Sequence, residues 1–354
     1  MATILVKGGR VWDGDNFFNS DVLIEGSKIA KIEPNIIANA TCVYDATGKT
    51  VSAGLVDIHT HLRVTGNEPY GIQGEMACFP FGVTAAADAG RYKGERIILD
   101  SFMLKNVIFA GTNVCENHAD LNKLKEIIDR FGDKTVGVKV YFDTNVSQVS
   151  DVTPLAEFCR FSKANGLHVM VHCSGSPTPM KDILATLGHG DILTHSFHGG
   201  IHTAAEDGFE SMREAKARGV VIDAGFAGHV HTDFSIFRTA VEQGVLPDVI
   251  STDITKFSAY TRGGRYGMTM CMSIARHVGM SEADIFRAAT STPAKVIGKD
   301  EWGSLRVGGI ADLAVFDYTD ESFDLTDKAG NRIKSDKGYR CLLTISDGQI
   351  VYKY

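Results

Sequence analysis

The chain changes its pattern of apolar and polar positions twice along its length. Residues 1 to about 53 fall into short β-type runs split by turns: Thr3 to Val6, Gly8-Gly9, Arg10 to Trp12, Asp13-Gly14, Asp21 to Ile24, Glu25-Gly26 and Lys28 to Ile32. The tail from about Leu305 has the same character, with ADLAVFDY, a turn around Gly330-Asn331, and LLTISDGQIVYKY carrying another Asp-Gly turn. Two β-rich ends around a different middle predict that the termini meet and build one small β domain, residues 1–53 plus 303–354.

The middle, residues 54–302, alternates short apolar runs with helical patterns, which is the signature of repeated βα units and a parallel sheet. The runs are Gly54 to His59, Val83 to Asp88, Val107 to Gly111, Val136 to Phe142, Leu167 to Cys173, Asp191 to Ser196, Val220 to Asp223 and Val249 to Asp253. Helices are expected at Glu95 to Asn106, Asn122 to Phe131, Pro154 to Asn165, Pro179 to Leu187, Ala205 to Arg218 and Ser235 to Gln243. Eight such units in about 250 residues match a (β/α)8 TIM barrel, an α/β fold; an open doubly wound sheet shares the pattern.

Composition narrows the partners. A length of 354 residues gives room for about two domains. The net charge of −7 argues against nucleic acid as a partner. No apolar stretch approaches the roughly 18 residues of a membrane span, so no membrane role is expected. The seven cysteines are scattered and never form C-x-x-C, which speaks against a disulfide framework or a zinc ribbon. The opening MATILVKGGRVWDG lacks the features of a signal peptide. A cytoplasmic location is expected.

Twelve histidines are the compositional oddity, and their positions carry chemistry. His59 and His61 stand two apart at the end of the first run, so the pleat points both the same way, as a shared metal requires; surface histidines also occur at such ends. In VGVKVYFD, Lys139 falls inside a strand expected to be covered on both faces. It is either paired with a nearby acid, extended to the rim, or a neutral reactive amine. His172 ends the fifth run, His195 the sixth and Asp253 the eighth. Four histidines, a lysine and an aspartate at the ends of five strands point to a metal site at the face where barrel enzymes work.

Taken in order, GLVDIHTH, VKVY, VHC, THSFHG and STDI resemble the amidohydrolase superfamily, and the likeness extends to VKGGRVWDG and LRVGGIADLAVFD at the two ends. VHCSGSP, GDILTHSFHG and VISTDI are most similar to its dihydroorotase-related deacetylase branch, some members of which carry adenine deaminase or dihydroorotase names. The resemblance implies a barrel flanked by a split β-sandwich and a centre of two Zn2+ or similar divalent ions. His59, His61 and Asp253 would hold the inner ion, His172 and His195 the outer one, and a carbamate formed from CO2 on Lys139 would bridge them. A metal-bridging hydroxide would attack the substrate, with Asp253 passing the proton to the leaving group. Asp57, on the pleat face of His59 and His61, either orients an imidazole or caps local backbone.

Arg63 completes His-Thr-His-Leu-Arg, a local form that resembles dihydroorotases, in which the arginine holds a substrate carboxylate. GVTAAADAG departs from that group's pattern, which argues against dihydroorotate itself. Arg262 and Arg265 in TRGGRYG, Tyr141 beside Lys139, and His198 are further substrate-binding candidates; His202, His229 and His231 are expected to face solvent. The partner expected is a small, anionic molecule, and homo-oligomer formation is compatible with this reading. The activity expected is hydrolysis of an amide or ester bond, as in deacylation of an amino or hydroxy acid. Ring opening of a cyclic amide, as by a dihydroorotase or hydantoinase, is the alternative. A non-catalytic scaffold of the same fold would generally lack the metal ligands.

Overall fold

In the computed structural model, residues 3–62, 71–91, 99–115, 118–144, 149–228, 230–261 and 266–354 are described. The two β-rich ends meet in one eight-stranded sheet. Gln349–Lys353, Gly338–Ser346, Leu313–Thr319, Thr50–Ala53, Thr3–Trp12, Phe17–Glu25 and Lys28–Glu33 lie side by side, and Cys42–Asp45 pairs with Thr3–Trp12. The join between the ends is antiparallel, Leu313 facing Ala53 and Phe316 facing Thr50. Ile4, Val11, Val22 and Val51 from the front of the chain share a core with Leu313, Val315, Leu343 and Ile345 from the back.

The first strand corrects one expectation. Thr3 to Val6 and Arg10 to Trp12 form a single strand with a bulge between Val6 and Gly9. Gly8 takes a φ of 72° there, open to glycine at little cost, and its N–H donates to Asp21 Oδ1 at 2.7 Å. The glycine pair therefore kinks the strand instead of ending it.

The middle of the chain forms a curled parallel sheet in the order Leu55–Thr60, Val83–Arg91, Lys105–Cys115, Thr135–Tyr141, His168–His172, Ile192–Thr194 and Val221–Ile222. Residues 249–254 link its two edges through parallel bridges, Asp223 with Val249 and Thr60 with Ile254. Every residue of Leu55–Thr60 is buried, as expected of a strand covered on both faces. Helices Leu121–Phe131, Thr153–Ala164, Met180–Thr186 and Phe234–Glu242 fall where the apolar periodicity puts them.

Two helical expectations change. The helix expected over 95–106 lies partly outside the described residues, and Lys105 and Asn106 already belong to a strand. Asn106 donates from Nδ2 to the carbonyls of Leu99 and Leu104, both at 2.9 Å, closing a turn where the helix would continue. The helix expected over 205–218 breaks into a short 3-10 turn, Ala204–Asp207, and Glu210–Ala217, because Gly208 and Phe209 both adopt φ of 65°. Among the described residues, no helix is long and apolar enough to cross a membrane.

Phe286, on helix Glu282–Ala289, joins the helical layer to the sheet. Its ring lies 5.7 Å from Phe17, 5.7 Å from Phe316 and 5.8 Å from Tyr339, so one fully buried side chain touches strands from both ends of the chain. Truncation to Phe286→Ala is expected to cost about 3–5 kcal/mol, the usual range for a buried phenylalanine whose site cannot collapse. Urea unfolding followed by Trp12 fluorescence measures it, since Trp12 stacks 4.7 Å from Phe17. A loss below about 1 kcal/mol would show that the sheet does not depend on this contact.

Candidate metal centre

The ends of the parallel strands bring His59, His61, Lys139, His172, His195 and Asp253 together. His61 Nε2 is 2.9 Å and His59 Nε2 3.2 Å from Asp253 Oδ1. Lys139 Nζ lies 2.8 Å from His59 Nε2. On the other side, His195 Nε2 is 2.9 Å from His172 Nδ1 and 3.8 Å from Asp253 Oδ2. Asp253 thus stands between two histidine groups.

Local backbone sets the aim of two of these side chains. His195 and Asp253 adopt φ of 59° and 47°, a left-handed conformation uncommon outside glycine and found at strained functional positions. Asp253 is held there by its neighbour. Thr252 donates its N–H and hydroxyl to the Asp57 carboxylate at 3.2 and 2.5 Å, and the same hydroxyl accepts from Ile254 N–H at 3.0 Å. Asp57 also accepts the N–H of His59 at 3.2 Å. Of its two expected roles, the structure shows backbone capping; the carboxylate ties the Leu55–Thr60 strand to residue 252 and makes no hydrogen bond to an imidazole among the described residues. Burial raises its pKa to about 7.

The imidazoles are oriented by groups that the sequence reading passed over. Thr194 donates its hydroxyl proton to Asp223 Oδ2 at 2.7 Å, so at 3.0 Å from His59 Nδ1 it accepts that ring's N–H. The Nε2 lone pair of His59 is left facing Lys139 and Asp253. Ser174 repeats the arrangement for His172: it donates to Asp143 Oδ2 at 2.8 Å and lies 3.4 Å from Nε2, leaving Nδ1 to face His195. His195 donates from Nδ1 to the Gly225 carbonyl at 2.6 Å, which frees its own Nε2. Gly225 is required here, because a Cβ would sit 2.7 Å from that ring nitrogen. These tautomers follow from the hydrogen-bond network.

Burial keeps the site poor in protons. It lowers His59 to about 4, with Lys139 adding to the effect, lowers His172, and drives His195 well down together with the neighbouring His231 and His172. Lys139, fully buried, is lowered to about 7 by the same desolvation, so much of it is a neutral amine near neutral pH. Burial opposes ionisation of Asp253, yet His59 and His61 beside it hold its carboxyl far below the usual carboxylate range. Converging nitrogen lone pairs with one anionic carboxylate and few protons to satisfy them form a donor set that fits divalent cations. The ligand atoms lie within 4.8 Å of one another inside each of two groups: His59, His61 and Asp253, and His172, His195 and His231.

His231 was expected in solvent and is not there. Its ring lies 4.3 Å from that of His195, because the loop that carries it folds back onto the strand ends. HVH at 229–231 repeats the H-x-H spacing of 59–61, a signal that could have singled it out. His202 does lie at the surface, 3.7 Å from Glu206. His198 is 1% exposed; its Nδ1 accepts from Gly200 N–H at 3.1 Å, and its Nε2 has no hydrogen-bond partner among the described residues. The half-buried Tyr141 lies 5.5 Å from the His172 ring. Arg63, Arg262, Arg265 and His229 lie outside the described residues.

The chain is similar to several known proteins. The amidohydrolase family profile matches residues 50–351. A deacetylase of Enterococcus faecalis is 30% identical over 372 residues, covering 98% of each chain. Two solved structures, an adenine deaminase and a dihydroorotase, each superpose with a TM-score of 0.86 at 26% identity, covering 100% and 99% of both chains.

His198 supplies a pH test of the site's burial. Desolvation lowers it to about 4, whereas the unfolded chain binds the same proton near pH 6.5. As pH falls, the unfolded state therefore gains the proton first and folding loses stability. From about pH 7 to about pH 5 the loss due to His198 should be about 2 kcal/mol. Urea unfolding of His198→Gln should show an acid-induced loss smaller by that amount. Equal losses in wild type and variant would mean that this imidazole is hydrated.

Proposed function

Because the chain belongs to the amidohydrolase family of carbon–nitrogen hydrolases, we propose that it deacylates a small carboxylate-bearing substrate at a centre of two divalent ions, zinc foremost. The observation that carries this reading is the meeting of two histidine groups across Asp253, beside a buried lysine. His59, His61 and Asp253 would hold the inner ion, and His172 and His195 the outer. The 249–254 segment is read as the eighth strand of a (β/α)8 barrel, and the shared sheet as part of the split β-sandwich.

Divalent ions in such a site bring a bound water's pKa toward neutrality and polarise an acyl oxygen. Lys139, as a neutral amine, would add to CO2 and release one proton, giving a carbamate whose oxygens would supply the anionic donors that the strand itself lacks. Asp253 would hold the inner ion through one oxygen, leaving Oδ2, toward His195, to take the proton from the attacking water and deliver it to the departing nitrogen or oxygen. The Thr194–Asp223 and Ser174–Asp143 pairs keep the imidazoles in their metal-binding tautomers throughout.

The deacetylase relative supports acyl cleavage over ring opening. The H-T-H-L-R sequence and the dihydroorotase fold keep ring opening as the second reading. Arg63, Arg262 and Arg265 would read the substrate carboxylate, with Tyr141 and His198 completing the pocket wall. A screen of N-acyl amino acids, O-acyl hydroxy acids and cyclic ureides against zinc-loaded protein separates the readings: release of a carboxylic acid is expected, and turnover of ureides alone would replace deacylation by ring opening.

Asp253→Asn keeps shape and part of the ligand capacity but loses the base, so kcat should fall at least ~10²-fold, and the ascending limb of the pH profile should change. Near-normal kcat would assign the proton to another group. Arg63→Met should lower kcat/KM about 10²-fold for the carboxylate substrate and far less for its methyl ester, with metal content unchanged. Equal losses on both substrates would remove Arg63 from substrate recognition.

A further inference from the structure

His231 is an imidazole at the site that the roles above leave unused. Its ring lies 4.3 Å from that of His195 and 5.2 Å from that of His172, and its Nε2 is 4.0 Å from Asp253 Oδ2. The ligand atoms of His172, His195 and His231 fall within 4.8 Å of one another. Its Nδ1 is buried with no hydrogen-bond partner among the described residues, a costly state for a ring nitrogen unless a ligand meets the imidazole.

The loop that carries His231 is anchored on both sides. Phe226 and Ala227 donate their N–H groups to the carbonyls of Ser251 and Thr252, the two residues before Asp253, at 3.2 and 2.9 Å. Ala227 takes a φ of 49°, which turns the chain back over the strand ends. Beyond His231, Asp233 N–H donates to the Phe197 carbonyl at 2.8 Å, and the Asp233 carboxylate caps helix Phe234–Glu242. Tethers to the strand ends thus bracket residue 231, and its ring is fixed over His195.

The donor count leaves room for such a residue. The inner group has two imidazoles and a carboxylate, and Lys139 Nζ sits on that side, 2.8 Å from His59 Nε2. The strand ends give the outer group two imidazoles. With one oxygen of the bridging carbamate the outer ion would have three protein donors, and a zinc centre accepts a fourth or fifth ligand. We propose that His231 is the third imidazole ligand of the outer ion, so that a three-nitrogen site, His172, His195 and His231, faces His59, His61 and Asp253. This rests on reading the clusters as a two-ion centre, and it makes the outer ion depend on a loop while the inner ion depends on the strands.

The test is titration of metal-free protein with Zn2+ and Co2+, followed by calorimetry and by visible absorption of the cobalt. His231→Phe keeps a ring and removes both donors; His231→Cys restores one ligand atom. Wild type should bind two equivalents. His231→Phe should bind the first unchanged and the second at least ~10²-fold more weakly, with altered cobalt bands. His231→Cys should recover the second equivalent with a new sulfur-to-cobalt charge-transfer band, and it carries the test alone if the phenylalanine variant does not fold. A second equivalent bound by His231→Phe with wild-type affinity and spectrum, or a cysteine variant without the sulfur band, overturns the proposal and leaves the two-ion reading intact. Wild type that binds a single equivalent overturns both.

Discussion

The structure depends on keeping several ring nitrogens unprotonated and aimed at one another in a place that water barely reaches. Burial supplies the first half by penalising the charged imidazole and ammonium, which is why His59, His195 and Lys139 all move down together. Aim requires that the far side of each ring be occupied. Two hydroxyl–carboxylate pairs, Thr194 with Asp223 and Ser174 with Asp143, do this for His59 and His172, and the Gly225 carbonyl does it for His195. Buried carboxylates are costly to the fold, and here hydroxyl and backbone donors compensate them.

That arrangement explains features that look unrelated in the chain. Left-handed backbone at His195 and Asp253 turns each side chain away from the run of its strand and into the shared space. The strain at Asp253 is held by Asp57, which grips Thr252 from the opposite edge of the curled sheet. Tyr266 adds a hydroxyl bond to the Thr252 carbonyl. A carboxylate at 57 thereby fixes the most polar residue of the centre and helps join the Leu55–Thr60 strand to the 249–254 segment.

Much of this was legible from residue patterns because strands covered on both faces are almost wholly apolar, so a polar side chain at their ends stands out. His59, His61, Lys139, His172, His195 and Asp253 were found that way. Threonine and serine at the same ends gave no such contrast, since Thr194 and Ser174 read as ordinary strand-end and turn residues; their partners Asp223 and Asp143, each 3.6 Å from the imidazole it supports, acquire that role only when the fold brings the strands together. His231 escaped because loops have no periodicity from which to infer direction, and only a tertiary contact turns it inward. The bulge at Gly8 and the break at Phe209 escaped for a related reason: a left-handed residue within an otherwise regular pattern changes geometry without changing hydrophobicity.

The most direct measurement of the central claim is the metal content of the purified protein and of Lys139→Ala. If the neutral nitrogens and Asp253 form one centre bridged through Lys139, wild type carries close to two equivalents of divalent ion, and Lys139→Ala loses one or both, with short carboxylic acids restoring part of the activity. A Lys139→Ala variant with full occupancy and full activity, or a metal-free wild type that still turns over substrate, would contradict it.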